Sequence, residues 1–346
     1  MSAPPQRVVV IGGSAGGLEA LTRLVAQLPA DLPAAVVAVL HFPATAVSRL
    51  AAILTRTAAM AVTVPWDGEP LAAGRIYVPP PDQHLLVGRG RLRVSRSPRE
   101  NGHRPAIDPL FRSAARSHGG AVIGVVLGGT LDDGSAGLLA IRSAGGVGVV
   151  LDPDDCAFSD MPRNAITVAA PEHVVRLDRM GALLTELVAQ PLPVAPSVPG
   201  PRRFTVEPDE EDELMADSKE ASTWGDDRPG RPSGFSCPEC HGVLWEVDQP
   251  GLPRFVCRIG HRISAESLLD QRGEEIEGAL WAAVRALEEQ ASLAQRLCDR
   301  AADLGQGVSE ERFRERAVDA RHQADVLRTA ALRRAGADPV EAEAGG

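Results

Sequence analysis

"RVVVIGGSAGG", residues 7–17, sets an almost uninterrupted apolar run against a six-residue turn holding four glycines. A β-branched run without polar alternation predicts a strand covered on both faces, as in the middle of a parallel sheet. The segment after it, "LEALTRLVAQL" (18–28), has its apolar residues at helical spacing. Working outward, the runs "AAVVAVLH" (34–41), "AVIGVVLGG" (121–129) and "GVGVVLD" (146–152) read as further buried strands, and "DPLFRSAARSH" (108–118) as another helix. The alternation predicts an α/β fold over residues 6 to about 188: a doubly wound, mostly parallel sheet with right-handed crossovers. One stretch departs from it. "RIYVPPPDQHLLVGRGRLRVSR" (75–96) is split by Pro and Gly with no helix between its runs, which predicts an antiparallel hairpin at a sheet edge or over a face.

The glycine turn leaves two functions open. Its backbone N–H groups suit a phosphate, and its shape suits raising Ser14 as a nucleophile. Sites in doubly wound sheets lie at the carboxyl ends of the strands. Ser14 follows the first strand in G-x-S-x-G form (Gly12, Ser14, Gly16), His41 ends the second, and Asp133 follows the 121–129 run. A serine hydroxyl needs a base to take its proton. Histidine accepts and returns protons near neutrality, and a carboxylate fixes the imidazole tautomer. Glycines beside the serine keep its hydroxyl approachable, and N–H groups at the start of the next helix face an oxyanion. Against nucleotide binding, the acidic residue that holds a ribose in dinucleotide folds is replaced by His41, and Leu18 follows Gly17 where a phosphate-binding loop would carry lysine. Spacing alone still admits a phosphate turn with a structural histidine.

The chain has 346 residues and a net charge of −10, with no long basic stripe, which argues against a nucleic-acid partner. No apolar segment reaches the length of a membrane span, and "MSAPPQR" lacks the features of a signal peptide, so a cytoplasmic protein without direct membrane insertion is expected. From 189 to 232 the sequence turns Pro-rich and then acidic, with "DEEDE" at 209–213, as in a solvated linker. Cysteine usage fits a reducing compartment: five residues, three of them in one short block. That block, "CPECHGVLWEVDQPGLPRFVCRIGH", pairs Cys237 with Cys240 and Cys257 with His261 at zinc-ribbon spacing. Four such ligands close a tetrahedron, so the predicted Zn²⁺ is structural, for a block too small to fold on its core alone. His241 competes with His261 as a ligand on spacing, though it adjoins Cys240 awkwardly. Beyond it, Ile276, Leu280, Val284, Leu287, Ala291, Ala294 and Leu297 form a helical stripe, "GQGVS" (305–309) interrupts it, and Ser309 opens a second helix to about Arg334.

Six segments, "VVVIGGSAGGLEAL", "LHFPA", "IYVPPPDQHLLV", "RPAIDPLFRSAA", "VVLGGTLDDGSAGL" and "DMPRNAI", resemble in order those of CheB-type protein-glutamate methylesterases, over about residues 5 to 187. The resemblance implies a serine esterase that hydrolyses glutamate γ-methyl esters on chemoreceptor-like signalling proteins, with glutamine deamidation in some members. It implies Ser14 as nucleophile, His41 as base and Asp133, rather than Asp132, as orienting acid. Oxyanion donors would be backbone N–H groups of Ala15 and Thr130. No catalytic cofactor is implied. Partners would be a methyl-accepting receptor or another glutamate-methylated protein, with a cognate methyltransferase or response regulator. Chemotaxis members carry an N-terminal receiver domain, whereas this chain begins at the catalytic strand, so receiver control in cis is expected to be absent. The loop "GGTLDDG" departs from the usual Gly-Met-Gly pattern and leaves the substrate open. The alternative is a catalytically altered regulatory binding protein of the same fold. The expected plan is a catalytic domain at 1–188, the linker at 189–232, a zinc-ribbon-like module at 233–263, a helical hairpin at 264–336 and a tail at 337–346. A ribbon followed by a helical hairpin also resembles the C-terminal extension of some standalone family members.

Overall fold

The computed structural model of the protein describes residues 5–41, 49–192, 230–247 and 253–334. Most of the expected linker (193–229), the expected tail from 337, and the Phe42, Pro43 and Ala44 part of "LHFPA" lie outside these residues. Two compact units divide the chain, residues 1–268 and 269–346.

The first unit opens with β1 (Arg7–Gly13), α1 (Gly17–Val25), β2 (Ala34–Leu40), α2 (Leu50–Thr55), β3 (Ala61–Thr63) and β4 (Arg75–Tyr77). The hairpin β5 (His84–Val87) and β6 (Leu92–Ser95) follows, then α3 (Ile107–His118), β7 (Val122–Val126), α4 (Ser135–Ser143), β8 (Val147–Leu151), α5 (Asp160–Ala169), β9 (His173–Val175) and α6 (Leu177–Ala189). Seven strands form one sheet in the order β3-β4-β2-β1-β7-β8-β9, and every pairing in it is parallel. β1 is central, with Ile11 opposite Ala38 of β2 and Val125 of β7. Its side chains explain the unbroken apolar run: Val9 and Ile11 pack into one core with α1 and α6, while Val8 and Val10 pack into a second with α3, α4 and α5. A strand buried on both faces has no polar side to show in its sequence.

One expectation changes. Arg75–Tyr77 is a parallel strand of the main sheet, between β2 and β3, and only the later part of 75–96 is the antiparallel hairpin, His84 opposite Ser95 and Val87 opposite Leu92. Ile76 and Tyr77 are fully buried in the sheet. The three prolines at 79–81 lack the N–H groups to continue the ladder.

The same unit ends in a four-stranded antiparallel ribbon, β10 (Arg231–Ser236), β11 (Val243–Val247), β12 (Arg254–Cys257) and β13 (Arg262–Ser264). A long helix, α7 (Ala265–Asp303), starts directly from β13. The second unit contains the rest of α7 and α8 (Gly307–Arg334), which starts two residues before the expected Ser309. Its buried positions are mostly small: Ala291, Ala294, Cys298 and Ala301 on α7, and Ala317, Ala320, Ala324 and Ala331 on α8. Ile276 of the expected stripe is exposed.

Candidate active site

Sheet order puts a switch point at β1: the chain crosses to β2 on one side and later to β7 on the other. Crevices open at the carboxyl ends of strands at such points. Ser14 lies one residue beyond β1, its N–H donating to the Gly128 carbonyl at 2.9 Å and its carbonyl accepting from Gly17 at 2.8 Å. The Gly16 N-cap of α1 has φ 73°, a conformation that favours glycine. A Cβ on Gly129 would lie 2.8 Å from the Ser14 Cβ, so glycine there lets the loop after β7 close onto the serine.

His41 follows β2, and its N–H donates to the Gly13 carbonyl at 3.2 Å. Its Nδ1 is 3.2 Å from Ser14 Oγ, and its Nε2 is 2.8 Å from Asp133 Oδ2. A nitrogen facing a carboxylate carries the proton, which leaves the Nδ1 lone pair for the serine hydroxyl. Asp133 is buried and accepts three further hydrogen bonds: Ile107 N–H at 2.7 Å, Asn101 Nδ2 at 3.0 Å and Asp108 N–H at 3.2 Å. Burial pushes its pKa up, but the His41 hydrogen bond and charge, with the Ile107 amide, outweigh that and hold the carboxyl well below the usual range. Asp133 therefore stays ionised beside the imidazole. Ala15 is half-buried and Thr130 exposed, and each adjoins a residue of the Ser14–Gly129 contact.

Two residues at this site escape sequence reasoning. Glu100–His103 is a tight turn closed by N–H···O bonds in both directions, with Asn101 (φ 51°) and Gly102 (φ 78°) in the left-handed region. The Asn-Gly pair signals such a turn, but nothing local says where it lands. Asn101 lands on Asp133. His103 stacks on the His41 ring, centroids 3.7 Å apart and planes 14° from parallel. Burial, with the His41 charge, lowers the His103 pKa to about 3, so this ring packs against His41 in its neutral form.

Other polar residues of the region are occupied structurally. Arg104 makes a two-pronged contact with Asp82, both hydrogen bonds at 3.0 Å, and Arg112 bonds Glu100 at 2.6 Å. Asp108 is fully buried, accepts from the Gly134 and Gly137 amides at 3.1 and 2.6 Å, and pairs with the buried Arg254 of β12. Cys156 packs beside the first core, and burial with the nearby Asp155 and Asp152 charges raises its thiol pKa to about 11. A thiol held there is protonated near neutrality and suits a packing role.

Asp132, next to the acid that faces His41, points elsewhere. Its Oδ1 accepts from Ser264 Oγ at 2.6 Å and Ser267 Oγ at 3.3 Å. Burial raises its pKa from 3.8 to about 6, opposed by the Ser264 hydrogen bond. A raised carboxyl contributes stability that is full below its unfolded value and is lost as pH rises through its folded value. Wild-type protein is therefore expected to lose up to about 3 kcal/mol between pH 4 and 7 through this group. Asp132→Asn should flatten that slope in urea unfolding, and an unchanged slope would assign the loss to other groups.

In the ribbon, one ligand atom each from Cys237, Cys240, Cys257 and His261 lie within 4.8 Å of one another. Cys240 and Cys257 sulfurs are 3.6 Å apart, and His261 Nδ1 is 3.4 Å from Cys257 Sγ and 3.6 Å from Cys237 Sγ. Tetrahedral zinc with bonds of about 2.3 Å to sulfur has edges of about 3.7 Å, so the set fits a closed metal site. Both ligand pairs sit on tight turns, made by the His241 N–H to Cys237 bond (2.8 Å) and the Gly260 N–H to Cys257 bond (3.0 Å). His241 is exposed and outside the cluster.

The family model described as CheB methylesterase matches residues 9–184. A curated relative from Xanthomonas oryzae pv. oryzae, named protein-glutamate methylesterase/protein-glutamine glutaminase 2, is 42% identical over 188 residues, which are 53% of this chain and 52% of that protein. One of the same name from Pseudomonas aeruginosa is 36% identical over 189 residues, 54% of each chain. The chain thus spans about half the length of the curated relatives it matches. The crystal structure of the Thermotoga maritima CheB methylesterase catalytic domain is similar with a TM-score of 0.50 and 31% identity, covering 52% of this chain and 98% of that one.

Proposed function

The chain belongs to the CheB methylesterase family, and from that premise we propose that it hydrolyses glutamate γ-methyl esters on a methyl-accepting receptor or another glutamate-methylated signalling protein. The observation that carries this reading is the Ser14–His41–Asp133 relay, 3.2 and 2.8 Å per link. Ser14 Oγ attacks the ester carbonyl as its proton passes to His41 Nδ1. Asp133 holds the imidazolium, and the Ala15 and Thr130 N–H groups receive the oxyanion. Collapse of the tetrahedral intermediate expels methanol, which takes the proton from His41. A water molecule, deprotonated by the same nitrogen, then cleaves the acyl-enzyme to free glutamate and Ser14. With a glutamine substrate the steps are the same and ammonia leaves.

Under this reading residues 1–188 are catalytic and need no cofactor. Residues 189–232 link them to the ribbon at 233–263, and a hairpin at 264–336 and a tail at 337–346 follow. Cys237, Cys240, Cys257 and His261 hold a structural Zn²⁺ whose role is to tie the ribbon's turns together. The protein works in the cytoplasm beside a cognate methyltransferase or response regulator. No helix among the described residues is long and apolar enough to cross a membrane.

A fluorophosphonate probe tests the enzyme reading. The expected result is one label per chain, on Ser14, together with methanol release from a methylated receptor. Absence of both would favour a binding protein with the same fold. Metal analysis of the same preparation should return one zinc per chain.

A further inference from the structure

The ribbon makes contacts that a simple appendage would not need. The Arg262 carbonyl of β13 accepts from the Asn101 N–H at 2.8 Å, and the Arg262 N–H donates to the Arg99 carbonyl at 3.4 Å, so the ribbon's last strand extends along the Glu100–His103 turn. Ser264 N–H donates to Asn101 Oδ1 at 2.9 Å. That bond sets which way the Asn101 amide faces. With its oxygen committed to Ser264, its NH₂ points at Asp133 Oδ1, 3.0 Å away. Asn101 and Ser264 are both buried, so solvent does not compete for these groups. From the same turn, His103 covers the His41 ring. The turn thus touches two members of the proposed relay, and the ribbon holds the turn.

The ribbon's own geometry joins this grip to the cysteine–histidine cluster. β12 and β13 pair with Arg254 opposite Ser264 and Val256 opposite Arg262. Cys257 ends β12 and His261 immediately precedes β13, so both ligands lie at the turn that joins the strands. Arg254 anchors the other end of β12 on Asp108, which accepts the Gly134 and Gly137 amides just past Asp133.

We propose that the ribbon completes the esterase site: β13 holds the Glu100–His103 turn, and Asn101 is the positioning residue that fixes Asp133 against His41, so that an intact cysteine–histidine cluster is required for full activity. This rests on the esterase reading above. Small misplacements of a catalytic group cost about 10- to 100-fold in rate.

The test uses the full chain, with and without its zinc. Chelation is expected to lower kcat about 10- to 100-fold with little change in KM. It should also weaken or broaden the downfield imidazole proton resonance of the His41–Asp133 hydrogen bond, and added Zn²⁺ should restore both. In the zinc-loaded chain, Asn101→Leu is expected to reproduce both losses, and chelating that variant should add little, because the two changes remove one interaction. If chelation leaves kcat and the resonance unchanged, or its effect multiplies fully with that of Asn101→Leu, the proposal is overturned. If the chelated chain loses its fold, the Asn101→Leu resonance and kcat in loaded protein decide. Failure of the esterase reading is separable: zinc-loaded wild type would release no methanol, while the zinc dependence of the resonance would still test the positioning.

Discussion

Ser14→Ala is expected to lower kcat by about 10⁵- to 10⁶-fold, and Asp133→Asn by about 10⁴-fold, with KM nearly unchanged in both. Alanine removes the oxygen proposed to attack, and Ser14 is tied into the fold through its backbone, to Gly128 and Gly17. The fold should therefore survive, and methanol release should fall to whatever the oxyanion donors alone sustain. The Asp133→Asn change acts through the tautomer. An amide NH₂ facing His41 Nε2 cannot accept its proton, so the ring protonates at Nδ1, where Ser14 needs a lone pair. The new side chain would also have to satisfy the Ile107, Asp108 and Asn101 donors with one oxygen where the carboxylate offers two. Some stability should be lost as well. Single-turnover methanol release and probe labelling check both variants, and Ser14→Ala retaining more than a thousandth of wild-type kcat would remove Ser14 from the nucleophile role.

The second large effect is on stability. Arg254→Met is expected to cost about 3–5 kcal/mol, because it strands a buried carboxylate. Asp108 is fully buried, and without Arg254 it keeps the Gly134 and Gly137 amides, a long Asn101 contact and the weaker influence of the Arg112 charge. Burial already pushes the Asp108 pKa upward, with the Arg254 charge the largest opposing influence and Arg112 a smaller one, so removing the Arg254 guanidinium leaves the upward push less opposed. A carboxyl raised in the fold destabilises as it ionises, so the deficit should be larger at pH 8 than at pH 5. Adding Asp108→Asn should recover much of the loss. Urea unfolding of the three proteins at both pH values measures this, and a deficit independent of pH would mean that lost packing, not charge, is responsible.

What the sequence makes legible follows from what is local. β1, β2, β7 and β8 are readable because both their faces are buried and their apolar runs are unbroken. β3 and β9 are three residues each, partly exposed, and carry no such run. Ser14, His41 and Asp133 stand out because each sits just past a readable strand, and the four metal-ligand candidates because their spacing is short-range. Asn101, His103, Arg254 and Ser264 carry no comparable signal. Their importance depends on which surface a distant segment meets, and a turn or a strand-end serine looks the same wherever it docks.

Asn101 and Ser264 are 163 positions apart, and Asp108 and Arg254 are 146 apart. A ribosome therefore delivers the ribbon only after all seven parallel strands have emerged. A nascent chain stopped at residue 192 would already hold Ser14, His41 and Asp133, yet Asp108, Asp132 and Asn101 would still lack their partners from the ribbon. The order of synthesis makes the crevice around Ser14, His41 and Asp133 the last part of this unit to be finished, so truncation or early proteolytic clipping should leave a sheet that folds but a crevice that has not matured.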